Sequence, residues 1–409
     1  MSDDRIISNI NRIESIDILR GITILVMIFV NDVAGVRGTP FWMKHISPPL
    51  ADGMTFVDIV FPAFLFIVGM SIPFALNRRF DQGQSTFEIW KHILIRTLSL
   101  LIIGVFMVNS DSLSAAGYLS PSLWILLMYT GVIMVWNKSA DKGMIIKAIG
   151  GGLLILAAIL YRGEGPEQLI ELRPQWWGIL GLIGWSYLVG CTVYYIFRPK
   201  LHPMVGMMAI LYCVYMADET GFFTHFYDII PWVKIGSALG SHGAVVVSGV
   251  ILGMILLPGT PAQSPAWRMR WATFYGIGMA AAAILMHSGN ELHQMFIINK
   301  ILATPPWCLW SAAIMTWLWV IIYWLVDVKG WEAWAITVRP AGANALFAYI
   351  LAPVLYALFD LSSLLFSGFN FYHWLGQDFA IGFWRSLFFA FGVTWLAGGL
   401  RRFGIVLKL

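Results

Sequence analysis

Apolar residues run through this chain in long blocks with hardly a charge inside them, from one end to the other. A helix needs about 20 such residues to cross the hydrocarbon core of a bilayer. The pattern predicts twelve crossing helices, near 16–35, 56–77, 89–108, 121–136, 143–161, 175–197, 201–217, 235–257, 270–287, 306–326, 342–360 and 381–399. The fourth and seventh runs are short enough to be tilted or re-entrant segments. No inverted repeat, low-complexity segment or long linker interrupts the series. The expected fold is all-α: a polytopic membrane protein of about 11–12 transmembrane helices. A single domain spans 16–400, between a cytoplasmic N-terminal segment 1–15 and a cytoplasmic tail 401–409.

The polar residues between the blocks set the orientation, because Lys and Arg collect on the cytoplasmic side. With the N-terminus inside, 19 of the 26 basic residues are cytoplasmic, among them Arg5, Arg12, Arg20, Arg96 and Lys142. Arg37, Lys44, Arg162, Arg173, Lys234, Lys300 and Arg385 fall outside. Composition agrees: the 409 residues are 59% hydrophobic and only 12% charged, with a mean hydropathy of +0.75. A soluble domain carries about 25% charged residues to wet its surface. The net charge of +4 follows topology and calls for no nucleic acid. Cys191, Cys213 and Cys308 lie in apolar stretches without metal-ligand spacing and read as buried thiols, with no metal site. The polar start MSDDRIISNINRIESID differs from a cleaved signal, so the first apolar run reads as an uncleaved start-transfer helix in the plasma (inner) membrane.

The outer loops 37–55, 162–175, 218–234, 288–305 and 361–380 are rich in Asp, Glu, His, Trp and Tyr. Acidic groups with aromatic faces suit a polyhydroxylated ligand such as an amino sugar, although outer loops also exclude cations and anchor with aromatics by topology alone. Stretch 15–76 is the most informative. Asp17 and Arg20 lie at its inner mouth, Asn31 and Asp32 at the outer end of the first helix, and Asp58 one turn into the second. Ionisable groups at such depth face a bundle interior or an aqueous cavity. For Asp58 the competing reading is structural, as a helix cap after Thr55 or as a link between helices. His45 sits in a loop rich in Gly, Pro and Trp, and an imidazole suits proton transfer from an amine or hydroxyl.

The order SIDILRG, the Asn31 helix, FWMKH and FVDIVFPAFLFIVGMSI resembles the heparan-α-glucosaminide N-acetyltransferase family of transmembrane acyltransferases. A second block, INKILATPPWCLWSAAIMTWLWVIIYWLVDVKGW followed by GANALFAYIL, resembles the family's NK–TP, DVKGW and GxN segments. The resemblance implies His45 as the catalytic histidine, with Asn31 and Asp58 beside it, and Arg20 and Arg96 on the phosphates of acetyl-CoA. It also implies contacts from Asn299 and Lys300 to the acceptor sugar. Acetyl would pass from cytoplasmic acetyl-CoA to the amine of a glucosamine or related amino sugar outside, with His45 as base or as transient acetyl carrier. A homodimer is compatible with the resemblance. The lysosomal members carry an extra luminal N-terminal region and first span not found in this sequence. The stretch NSDSLSAAGYLSPSLW also departs from theirs, which puts the acceptor's identity in question. An O-acyltransferase of a surface glycan or lipid, and a transporter without chemistry, are the competing readings.

Overall fold

The computed structural model describes residues 13–138, 143–165, 168–257 and 264–409, so that Arg5, Arg12 and Lys142 lie outside the described residues. Twelve long helices account for the apolar blocks. They are α1 (Glu14–Val33), α2 (Phe56–Asp81), α3 (Thr86–Ser110), α4 (Pro121–Trp136), α5 (Met144–Leu160) and α6 (Ile179–Phe197). They continue with α7 (Leu201–Glu219), α8 (Ile235–Met254), α9 (Pro265–His287), α10 (Pro305–Val328), α11 (Ala345–Phe366) and α12 (Phe379–Arg402). Nine of these, among the described residues, are long and apolar enough to cross a membrane. Helices α4 and α5 are apolar but shorter, and α1 is set apart by Glu14, Asp17, Arg20 and Asp32. The protein is an all-helical, polytopic membrane protein.

Two expectations about short spans resolve differently. The seventh helix has 19 residues, because Asp218 and Glu219 prolong it beyond its apolar run until Gly221 turns the chain at a positive φ. The fifth has 17 residues and pairs with the 16-residue fourth, each only about 25 Å long. Trp124 on α4 clamps the pair by donating to the Ala157 carbonyl at 2.7 Å.

Start signals are local. Ser85, Ser120, Ser264 and Asp378 each accept a backbone N–H of the helix they precede, which relieves orphan donors that lipid cannot satisfy. Helices α2 and α8 form the centre, with 72% and 89% of their apolar windows buried, against 28% for α9 and α12 at the periphery. They touch along small residues: a methyl on Gly69 would strike the Val246 carbonyl oxygen, and one on Gly249 that of Phe66. Such backbone-to-backbone approach is the usual basis of helix association where lipid removes the hydrophobic drive.

Helix α1 closes on the start of the last third in the same way. Gly21 abuts Val338, and Gly342 abuts Asp17, so the glycines of LRG and GAN face each other. Asp327, from the DVKGW segment, accepts the Glu14 and Ser15 N–H groups at 3.2 and 3.1 Å and so caps α1. Asn344 donates to Ile405 O at 3.0 Å and accepts from Leu407 N at 3.2 Å, fixing the chain's last residues.

Gly249→Ala is expected to destabilise the detergent-solubilised protein by about 3 kcal/mol or more, because neither backbone can give way. Gly278→Ala on α9, where a methyl meets nothing within 4 Å, should be neutral or slightly stabilising. Thermal unfolding of the two variants, followed by far-UV dichroism, provides the comparison.

Candidate functional site

Thr55 ends the loop after α1 in an extended conformation, and Asp58, three residues on, is buried at the first turn of α2. Its Oδ2 accepts from the Thr55 N–H at 2.9 Å and from the Ile46 N–H at 3.2 Å. Its Oδ1 lies 2.6 Å from His45 Nδ1. The carboxylate is only 1% exposed, whereas the His45 side chain is 50% exposed. Asp58 therefore caps a helix and orients an imidazole at once. With Nδ1 held by the carboxylate, Nε2 keeps the lone pair of the ring.

Lys300 Nζ lies 3.2 Å from His45 Nδ1 and 3.1 Å from Nε2. An atom nearly equidistant from both nitrogens of one imidazole lies along neither lone pair, so the amine sits over the ring. Burial pulls the Lys300 amine below the ordinary lysine range, against the opposing attraction of Asp58. Three of the expected site residues, His45, Asp58 and Lys300, thus meet in one cluster.

Asn299 has a different place. It is fully buried, donates to the carbonyls of Pro49 and Ala51 at 2.9 and 3.0 Å, and accepts from Leu302 N at 3.0 Å. Its amide staples the loop that carries His45 and touches no open space. Asp52 completes the staple from the other direction, accepting from Ile298 N at 2.8 Å, Asn290 Nδ2 at 3.2 Å and His287 Nε2 at 2.7 Å. Burial alone would raise the Asp52 carboxyl; the hydrogen bonds from Ile298, His287 and Asn290 outweigh it and hold the group below the usual carboxylate range.

Asn31 is exposed into a cavity of about 330 Å³ lined also by Asp111, Tyr129, Trp177, Tyr349 and Tyr356. Among the described residues it makes no hydrogen bond to His45. Trp177, Gly178 and Ile179 also line a second cavity, of about 860 Å³, whose wall includes Lys300. Arg20 and Arg96 lie toward the opposite end of the bundle. Arg20 donates to Asp17 Oδ1 and to Ser71 Oγ, each at 2.8 Å. Arg96 stacks its guanidinium 4.7 Å from the Tyr187 ring centroid, and its buried Nε has no hydrogen-bond partner among the described residues. That orphaned donor on a fixed cation suits an anionic group such as a phosphate.

A network that sequence reading left out stands beside Asn31. Asp32 accepts from the Tyr356 and Tyr372 hydroxyls, both at 2.7 Å, and from Arg385 Nη2 at 3.0 Å. The pair is 3% and 9% exposed, so removing one partner would strand a buried charge at about 3–5 kcal/mol. The signal was present, an acid at membrane depth and a stray outer arginine, but 353 residues separate the two.

A family described as "Domain of unknown function (DUF5009)" matches residues 12–235. The chain belongs to this family. It is also similar to heparan-alpha-glucosaminide N-acetyltransferase of Homo sapiens, 25% identical over 372 residues, covering 83% of this chain and 52% of the relative. The enzyme of that name from Mus musculus is 33% identical over 127 residues, covering 31% of this chain and 18% of the relative. The chain spans about half the length of the human relative. The DUF5009 match takes in α1 to α7, and with them Asn31, His45 and Asp58, but not Asn299 or Lys300.

Because folding holds the Asp52 carboxyl below the usual carboxylate range, its contribution to docking of the 45–53 loop is complete above the ordinary aspartate pKa. It is lost as pH falls through the lowered folded value. Asp52→Asn should abolish this acid dependence and raise hydrogen exchange in 46–53 already at neutral pH, as read by mass spectrometry of that peptide.

Proposed function

We propose that this protein is a transmembrane acetyltransferase moving acetyl from cytoplasmic acetyl-CoA to the amine of a glucosamine or related amino sugar across the membrane. The observation that carries the reading is the His45–Asp58 contact of 2.6 Å at the mouth of the bundle, with Lys300 over the imidazole. Similarity to proteins named N-acetyltransferases supports the reaction class. The distribution of Lys and Arg, 19 to 7, supports a cytoplasmic Arg20 end with both termini, an outward His45 end, and residence in the plasma (inner) membrane.

When bound, acetyl-CoA supplies an acetyl group already activated as a thioester. Arg96, whose Nε is unpaired, is positioned to hold an anionic part of the donor, with Arg20 braced by Asp17 and Ser71 nearer the first helix. At the other end an ammonium cannot attack a thioester until it loses a proton. His45 Nε2 takes that proton, and the positive charge gained by the ring is stabilised by the Asp58 carboxylate on Nδ1. Asp58 can do this without moving, because the Thr55 and Ile46 N–H groups already fix its second oxygen. Lys300 supplies a further donor at the acceptor, and Asn299 keeps the His45 loop from drifting. The Asn31 side chain, in the wall of its cavity, makes no hydrogen bond among the described residues and is the proposed amide donor to the reacting carbonyl.

Purified protein in vesicles, given labelled acetyl-CoA and glucosamine, should form N-acetylglucosamine; exclusive O-acetyl product would sink the amine reading. His45→Ala should lower kcat about 10²–10⁴-fold, the usual worth of a general base. Direct transfer also predicts no acetyl-histidine by mass spectrometry after incubation with acetyl-CoA alone. Arg96→Met should raise the KM for acetyl-CoA about tenfold, the worth of one charge-assisted hydrogen bond, and leave kcat within about twofold.

A further inference from the structure

His242 opens the regular part of α8 after the π-helical turns Ile235–Ser241, and it is only 4% exposed. Its ring stands edge-on to Phe61, with centroids 5.2 Å apart, and to Trp307 at 6.1 Å. Phe61 follows Asp58 by three residues on α2, so His242 lies one turn deeper than the His45–Asp58 contact. Neither ring nitrogen has a hydrogen-bond partner among the described residues. The imidazole borders the 860 Å³ cavity that Lys300 also lines. In the same wall the buried Nε1 of Trp185 is likewise without a partner, and Trp176, Trp177 and Trp232 add broad ring faces.

Buried polar atoms left unpaired cost free energy, and three of them belong to side chains in the wall of this one cavity. A fatty chain in that space would leave all three unpaired. A neutral imidazole offers one donor and one acceptor, and Trp Nε1 offers one donor. Hydroxyl groups donate and accept at once, and the carbon-bound faces of a pyranose lie flat on indole rings. Mostly apolar walls with a few converging polar atoms are the usual make-up of a small-molecule site. We propose that this cavity seats the acceptor saccharide, with His242 and Trp185 hydrogen-bonding its hydroxyls one turn below the His45–Asp58 dyad. This rests on the reading above that the acceptor is an amino sugar. Lys300, shared between the cavity wall and the His45 ring, then joins the place of binding to the place of proton removal.

Saturation-transfer NMR with glucosamine on the detergent-purified full chain reads binding without requiring turnover. His242→Phe keeps a ring against Phe61 and Trp307 but removes both nitrogens, and should weaken glucosamine binding about tenfold, the worth of a buried hydrogen bond. His242→Gln should retain binding within about threefold. Trp185→Phe, which keeps an aromatic ring against Trp176, should weaken binding by a similar factor to His242→Phe. Glucosamine affinity unchanged in both phenylalanine variants would mean that these atoms meet only water, and overturns the proposal, as does absence of binding to the wild-type protein. Wild-type binding without acetyl transfer would instead overturn the proposed activity and leave the saccharide site standing.

Discussion

The carboxylate of Asp58 is the constraint around which the rest of the His45 end is arranged. A charge buried to 1% exposure near a membrane boundary must have all its lone pairs occupied, and three elements answer. Thr55 supplies the N–H that starts α2, Ile46 supplies one from the loop, and His45 supplies its ring. The same requirement that keeps the acid in place therefore aims the imidazole. The structural and chemical readings of Asp58 were alternatives on sequence grounds; in three dimensions one geometry satisfies both.

A loop that bears such a group has to be held from outside its own backbone. Asn299 and Asp52 do this as a reciprocal clasp between segments about 250 residues apart, Asn299 giving its amide N–H donors and Asp52 both carboxylate oxygens to the opposing segment. The two motif blocks seen in sequence are thus two sides of one assembly. At the Arg20 end the pattern repeats with different chemistry: glycine against glycine at Gly21 and Gly342, and Asp327 capping the first helix. Backbone contacts and capped termini suit a medium in which unpaired peptide groups are costly.

The function proposed here places the reacting groups at a boundary between two compartments. A half-exposed His45 backed by a fully buried acid can exchange protons with solvent while staying oriented. Arg96, in the first half of α3, is fixed over Tyr187 of α6, and the most deeply buried helices of the bundle are α2 and α8. Two cavities share Trp177, Gly178 and Ile179 in their walls, one reaching Asn31 and the other Lys300.

Most of the helical skeleton was legible in the chain itself, because crossing a bilayer demands long apolar runs that no soluble context would require. The twelve runs reappear as twelve helices whose ends move by up to six residues: α2, α3, α7 and α12 run on into flanking polar residues, α9 starts five residues earlier at Pro265, α11 ends at Phe366, and Gly178 caps α6 later than its run began. His45, Asp58 and Lys300 were legible as candidates because polar groups are conspicuous against so apolar a background. Their roles were not, since spacing along the chain says nothing of a contact across 255 residues. Asn299 stood in sequence as a sugar contact, and only packing turned it into a staple. Asp32 with Arg385, and His242 with Trp185, became visible only when helices from distant parts of the chain closed around them. Sequence alone determined where the chain must be helical, through the cost of exposing peptide groups to lipid; tertiary structure decided which buried polar atoms found partners within the described residues and which did not.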